Sequence, residues 1–140
     1  MEYTLPAGNY YLADNIALNG GTANGKTYVG GTIRTKGYDL NVNLCLNGFT
    51  LSATNPNTPL LSVPGTQTLT LSDCQGGGKI QTDAGGYNVL QVFGDEGKGG
   101  TFTMYGGTLS GARTGVYTYA DHRGSAEENR GLFYQQSGGV

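Results

Sequence analysis

The chain has 140 residues, 13% of them charged, and a formal net charge of −2. This length suits one domain with a modest hydrophobic core. The charge balance provides no basic surface for a phosphate backbone, so we expect no nucleic-acid partner. No apolar run approaches the ~18 residues of a membrane span, and no basic and apolar leader follows Met1, so we expect neither membrane insertion nor a signal peptide in this chain.

The composition is typical of strands joined by tight turns. It includes 26 glycines and ten tyrosines but no tryptophan, which favours an all-β solenoid. At the start of the chain, MEYTLPAGNYYL is expected to cap the first coil of such a solenoid. The capping residues would be Tyr3, Leu5, Tyr10 and Leu12.

Three later segments alternate apolar and polar residues, which is the pattern of a strand with one buried side. Asn-Gly and Gly-Gly pairs between these segments can supply the positive φ that sharp corners need. The residues predicted to face inward are Leu40, Val42, Leu44 and Leu46 in 40–48, Leu69 and Leu71 in 66–72, and Phe102 and Met104 in 101–107.

The sequence repeats at a 29-residue interval, which aligns Leu51 with Ile80 and then with Leu109. Units of several strands that repeat in this way bury their inward residues by stacking on their neighbours, as in a parallel β-helix. A β-sandwich is the competing fold, but it does not require apolar positions to repeat in register. The residues predicted to be buried and stacked are Leu46, Leu51, Leu61, Leu71, Ile80, Leu90, Val92, Met104 and Leu109.

We therefore predict a parallel β-helix of about four coils that forms a single domain over residues 1–140. Residues 1–20 would form the N-terminal cap and the first coil. Residues 21–119 would form the stacked coils, and residues 120–140 a C-terminal cap or loop.

Two segments have both a structural and a functional interpretation. GDEGKGG (94–100) could wrap a calcium ion, but it lacks the ordered oxygen spacing of known calcium loops, so a plain turn is favoured. Thr66, Thr68 and Thr70, with Thr101 and Thr103, form an outward threonine array that would suit an ice or crystal surface. Threonine is also a common exposed strand residue, and this simpler interpretation is favoured.

Candidate binding residues lie near the end of the repeats. Tyr117 and Tyr119 alternate with other residues and so face the same side of a strand, and the repeat interval places Tyr119 beside Leu90. If they face inward they belong to the core, whereas outward they offer ring faces and hydroxyls to a sugar or a protein partner. The charged and titratable residues Asp121, His122 and Arg123 follow them and could form a functional site, although a solvated loop is the simpler interpretation. The candidate binding residues are Tyr117, Tyr119, Asp121, His122 and Arg123.

The C-terminal segment SAEENRGLFYQQ (125–136) lacks strand alternation, and Ser125 and Glu128 form a capping-box signature. We predict a short helix here, with Leu132 and Phe133 covering the last coil. A loop, or the start of an incomplete coil, is the alternative. A covered last coil favours a monomer, whereas an uncovered one would expose strand edges to end-to-end association.

Four segments of the sequence resemble successive coils of a β-helix repeat. They are YYLADNIAL (10–18), VNLCLNGFTLSA (42–53), TLTLSDCQGGGKI (68–80) and GGTFTMYGGTLSGA (99–112). They are similar to the adhesin-like right-handed β-helix repeat regions in large surface proteins of gut Firmicutes. The resemblance implies a right-handed, pectate-lyase-like β-helix and an extracellular or cell-surface setting. Separately from the resemblance, we predict a glycan or a host or bacterial surface protein as the partner.

Cys45 and Cys74 are separated by the same interval as the repeat. In an exported protein, cysteines at equivalent positions of adjacent coils would lie about 5 Å apart, which suits a disulfide. Two reduced cysteines that pack as small apolar residues are the alternative. No metal site is expected, because His122 is the only histidine and no Cys-x-x-Cys pair occurs.

Polysaccharide-cleaving β-helices use carboxylates that converge from neighbouring coils. The repeat interval brings none of Asp73, Asp83 and Asp95 beside another carboxylate, so we predict no catalytic residues and no cofactor. The predicted function is a non-enzymatic, adhesin-like extracellular module that acts as a rigid spacer or as a glycan-binding or protein-binding unit. The alternative is a polysaccharide-active β-helix lyase or hydrolase.

Overall fold

The computed structural model describes residues 2–18, 21–23, 26–28, 32–35, 41–54, 58–82, 88–95, 97–111, 114–120 and 130–140. Strands are the regular elements of this part of the chain. In chain order they are β1 (Glu2–Leu5), β2 (Gly8–Tyr11), β3 (Ile16–Leu18), β4 (Gly21–Ala23), β5 (Lys26–Tyr28), β6 (Thr32–Thr35), β7 (Asn41–Cys45), β8 (Thr50–Ala53), β9 (Leu61–Val63), β10 (Thr68–Ser72), β11 (Lys79–Thr82), β12 (Asn88–Asp95), β13 (Lys98–Gly99), β14 (Thr101–Met104), β15 (Thr108–Ser110), β16 (Thr114–Tyr119) and β17 (Leu132–Gln135).

The strands stack in parallel on three faces. Face 1 contains β1, β6, β9, β12 and β16, in that order. Face 2 contains β2, β7, β10, β14 and β17. Face 3 contains β3, β8, β11 and β15. Two pairings are antiparallel: β4 pairs with β5, and β13 pairs with the end of β12.

This arrangement is a β-solenoid of about three turns. Within the described ranges, four layers carry a strand on each of the three faces, and the chain makes about three turns from the first of these layers to the fourth. β16 and β17 begin a further layer on faces 1 and 2. The predicted all-β, parallel-stacked fold is confirmed.

The core is a set of apolar ladders inside the three faces. Leu51, Ile80 and Leu109 are paired in register across β8, β11 and β15, so on face 3 the sequence repeat is the strand register. Each of the nine residues predicted to be buried and stacked is at most 1% exposed. The predicted inward residues of the three alternating segments are also buried, apart from Leu40, which lies outside the described residues.

On face 2 the separation between paired residues varies from strand to strand, because the connections between its neighbouring strands differ in length. Leu71 pairs with Leu44 on one side and with Met104 on the other, and neither separation equals the repeat interval. One cause is the hairpin of β12 and β13, in which Gly94 pairs with Gly99 before the chain enters β14. GDEGKGG is thus a turn, as predicted, although Glu96 within it lies outside the described residues.

The corner between faces 2 and 3 is fixed by an aspartate. Asn47 and Gly48 have φ values of 54° and 79°, the left-handed conformation expected for an Asn-Gly corner. The carboxylate of Asp73 accepts hydrogen bonds from the backbone N–H of Gly48 at 2.8 Å and of Gly78 at 2.7 Å. A Cβ at Gly78 would lie 2.7 Å from the Cβ of Leu46, so this corner requires glycine for the close approach of the layers.

The first strands form a layer of the solenoid, with β1, β2 and β3 on its three faces. Among the predicted capping residues, Leu12 is buried, and Leu5 and Tyr10 pack partly buried against the core. Tyr3 is 44% exposed. Within the described part of the chain β1 pairs with β6 alone, so Tyr3 lies on the edge strand of face 1.

The prediction of a helix over 125–136 is wrong for its second half. Leu132–Gln135 is β17, which pairs in parallel with β14 and extends face 2 by one strand. Phe133 points inward and stacks on Phe102, with ring centroids 5.6 Å apart and ring planes 8° apart. This backbone ladder and ring contact hold residues 132–135 in a strand. Residues 125–129 lie outside the described residues.

Candidate binding site

Tyr117 and Tyr119 lie on the outside of face 1, on its last strand. In the pairing of β12 with β16, Tyr117 is opposite Gln91, and Tyr119 is opposite Phe93. The two tyrosines are 47% and 36% exposed, whereas Leu90 is fully buried. The expectation that Tyr119 lies beside Leu90 is wrong, because the step from β12 to β16 is shorter than the repeat interval and brings Val116 beside Leu90 instead.

The tyrosines form part of a continuous aromatic group. The rings of Phe93 and Tyr119 stack with centroids 5.1 Å apart and planes 4° apart. Tyr117 lies 5.5 Å from Tyr119, with its ring tilted by 41°. The side-chain Nε2 of Gln91 donates a hydrogen bond of 2.8 Å to the Tyr119 hydroxyl. These contacts hold the Tyr119 ring in a fixed orientation outside the sheet.

A cation extends this group across the face. The guanidinium carbon of Arg34 lies 5.7 Å from the ring centroid of Phe93, within the range of a cation–π contact. Arg34 is on β6, opposite Ser62 of β9, which in turn lies opposite Gln91 of β12. Ser62 is buried although it faces outward, consistent with long side chains on both neighbouring strands. We refer to the group as the aromatic cluster, which consists of Arg34, Gln91, Phe93, Tyr117 and Tyr119.

The remaining candidate binding residues, Asp121, His122 and Arg123, lie outside the described residues. The chain pairs Ala120 with Arg130 immediately after β16, so the described backbone resumes next to the end of that strand. The structure therefore brings together Tyr117 and Tyr119 of the five candidates and adds residues that the sequence analysis did not select. Phe93 and Gln91 alternate with Leu90 and Val92 in VLQVF, a pattern that marks them as outward-facing.

Cys45 and Cys74 meet at the corner between faces 2 and 3. The strand partner of Cys45 is Ser72, so Cys74 lies beyond the ladder, in the corner segment. Its backbone N–H lies 3.1 Å from the sulfur of Cys45, and the structure joins the two Sγ atoms in a disulfide. The two cysteines thus do not occupy equivalent ladder positions, yet their Cα atoms are 6.3 Å apart, within the usual range for a disulfide.

We expect this disulfide in protein purified without reductant. Because it closes a loop between residues 29 positions apart, its reduction should lower the free energy of unfolding by about 3.5 kcal/mol. Peptide mapping without reduction, and thermal melts with and without reductant, measure both effects. The Cys45→Ser/Cys74→Ser variant is the control, since its melt should not respond to reductant. Alkylation of both thiols in the native protein, with no effect of reductant, would contradict the expectation.

Within the described ranges, no three histidine, cysteine, aspartate or glutamate side chains come together in a way that could hold a metal ion. The carboxylate of Asp73 is bonded to two backbone amides of the corner. No helix of the described chain has the length and apolar character needed to cross a membrane.

Comparison of the chain with protein-family models, curated protein sequences and solved structures gave no match. The β-solenoid is therefore established by the strands of this chain itself. The relationship to adhesin-like surface proteins stays a prediction from the sequence.

Proposed function

We propose that this chain is a non-enzymatic, extracellular, adhesin-like module that binds a glycan through the aromatic cluster of face 1. The observation that carries the proposal is the exposure of Tyr117 and Tyr119 beside each other, with Phe93 stacked behind them on the next strand. Exposed aromatic side chains grouped on a regular sheet are typical of interaction surfaces.

The chemistry of the cluster suits a sugar. The C–H faces of a pyranose ring are apolar and pack on aromatic rings, while its hydroxyls need donors and acceptors around the ring edge. Tyr117 supplies an exposed ring and hydroxyl, and Gln91 and Arg34 place polar groups on the same side of the sheet. Tyrosine and arginine are also common in protein interfaces, so a protein partner is the alternative ligand for the same residues.

The fold supports binding because it holds the side chains of the aromatic cluster in fixed positions on one face. Its residues come from β6, β12 and β16, which are held in register by backbone ladders through the intervening β9. Side chains on such strands need little reorganisation on binding, which favours affinity. The same ladders make the stack a rigid spacer between whatever lies at its two ends.

Binding of the purified chain to immobilised glycans tests the proposal through the Tyr117→Ala variant. The substitution removes an exposed ring without disturbing the core, and it should weaken glycan binding by about 3- to 10-fold. Thr118→Ala is the matched control, because Thr118 lies between the two tyrosines on β16 and pairs with Val92 instead of with the cluster. Equal glycan binding by both variants and the parent chain would contradict the proposal, as would binding only to protein ligands.

A further inference from the structure

We infer that the outer side of face 2 is a second binding surface, and that it takes a neutral, extended polysaccharide chain. This inference does not depend on the aromatic cluster, which lies on face 1. It rests on the lack of charged residues in the strands of face 2, on the hydrogen-bonding groups and exposed tyrosines of that face, and on a groove at its edge.

The five strands of face 2 carry no charged residue. Their sequences are GNYY, NVNLC, TLTLS, TFTM and LFYQ. A ligand with carboxylate, sulfate or phosphate groups would lose hydration on this surface without gaining a cationic partner. A neutral ligand would not incur this cost. The absence of charge within these five strands therefore favours a neutral ligand over an acidic polysaccharide.

Hydroxyl and amide groups form two outward rows across the face. One row contains Asn41, Thr68 and Thr101, and the next contains Asn9, Asn43, Thr70 and Thr103. The Nδ2 of Asn43 donates a hydrogen bond of 2.8 Å to the Oδ1 of Asn9, so these amides are held in place. The threonine pairs predicted from the sequence do lie side by side on β10 and β14. Together the rows offer closely spaced donors and acceptors to a partner rich in hydroxyls.

Exposed tyrosines border these rows. Tyr11 of β2 is 71% exposed, Tyr134 of β17 is 46% exposed, and Tyr105, directly after β14, is 56% exposed. The backbone N–H of Tyr105 bonds to the carbonyl of Leu71, which continues the ladder of β14 past its end. Tyr11 and Tyr105 thus lie in the row beside these two, with Cys45 and Ser72 between them, and are about 14 Å apart, since three strand steps of about 4.8 Å separate them. This distance spans several sugar rings.

A groove begins at Tyr105, at the edge of face 2 that leads to face 3. It has a volume of about 570 Å³ and runs along the corner between faces 2 and 3, where it is lined mainly by glycines of successive layers. Asp73 and Lys79 also line it, so the groove, unlike the strands of face 2, contains one acidic and one basic residue. Tyr105 lines this groove as well as bordering face 2. A chain that crosses the rows can therefore continue past Tyr105 along this glycine-rich corner.

The in-register rows and the separation of the two tyrosines select among neutral glycans. A β-1,4-linked chain with equatorial linkages is an extended ribbon that exposes C–H faces to tyrosine rings and hydroxyls along its edges, which matches rows of polar side chains bordered by rings. A coiled α-linked glucan would touch only part of the rows. The occupant we infer is therefore a neutral β-1,4-linked polysaccharide, such as cellulose, chitin or mannan.

Co-sedimentation of the purified chain with microcrystalline cellulose, chitin and insoluble mannan tests this inference, with polygalacturonate as the acidic comparison. The chain should be retained by at least one neutral polymer and not by polygalacturonate. Tyr11→Ala and Tyr105→Ala should each weaken that retention by about 3- to 10-fold while leaving the melting curve unchanged.

Tyr3→Ala is the matched control, because Tyr3 is exposed to a similar degree but lies on β1 of face 1. Three results would overturn the inference: no retention on any neutral polymer, retention that the Tyr11 and Tyr105 variants do not alter, or a dimer that these variants dissociate in place of polysaccharide binding.

Discussion

Replacing Ile80 with aspartate is expected to remove the cooperative thermal transition of the chain or to move it far below that of the parent. Ile80 is completely buried and lies between Leu51 and Leu109 in the ladder of face 3. An aspartate there would place a carboxylate among apolar side chains, at a cost of several kcal/mol, which is a large part of the stability of a domain of this size.

Two further variants separate a stacking effect from a general sensitivity of β11. Gln81→Asp introduces the same side chain at the neighbouring, exposed position and should change the free energy of unfolding little. Ile80→Val keeps the site apolar and should cost about 1 kcal/mol, which remains measurable if the aspartate variant does not fold. Circular dichroism melts measure all three. An unchanged melting temperature for Ile80→Asp would contradict the stacked core.

Ending the chain at His122 is expected to convert a monomer into an associating or aggregating species. The truncation removes β17, which pairs along the whole of β14 and places Phe133 on the ring of Phe102. Its loss exposes the backbone edge of β14 and one face of a buried aromatic ring, and unpaired strand edges pair readily with other chains. Mass measured by light scattering for the two chains checks this expectation.

Point variants in the full chain test the same role of β17 without a new terminus. Phe133→Ala should destabilise the chain and promote association, because Phe133 points inward from β17. Tyr134→Ala, at the next position on β17, removes an exposed ring and should leave the oligomeric state unchanged. If the truncated chain proved monomeric and as stable as the parent, β17 would not be needed to protect the edge of β14.

The sequence predicted the strand register correctly where successive turns of the solenoid contain the same number of residues. Leu51, Ile80 and Leu109 stand at the repeat interval and pair in register, because the chain from β8 to β11 and from β11 to β15 has the same length. Alternation within each strand also identified the buried side of face 2, since that pattern depends only on neighbouring residues.

Contacts that depend on corners of different lengths could not be predicted from the 29-residue repeat interval. Tyr119 reaches Phe93 only because β16 returns to face 1 early, and nothing in the local sequence fixes where a corner ends. Arg34 contacts Phe93 although β9 lies between their strands, so the pair is adjacent only in the folded sheet. In the C-terminal segment, a helix signal in Ser125 and Glu128 precedes residues whose partners lie on β14.

The central claim is that this β-solenoid binds a glycan and does not cleave it. The most direct measurement incubates the purified chain with a panel of plant, host and bacterial glycans and records, in the same samples, the protein retained and the soluble fragments released. We predict retention by at least one glycan, weakened in the Tyr117→Ala or the Tyr105→Ala variant, without any release of fragments. Depolymerisation of a glycan, or the lack of retention on every glycan of the panel, would contradict the account.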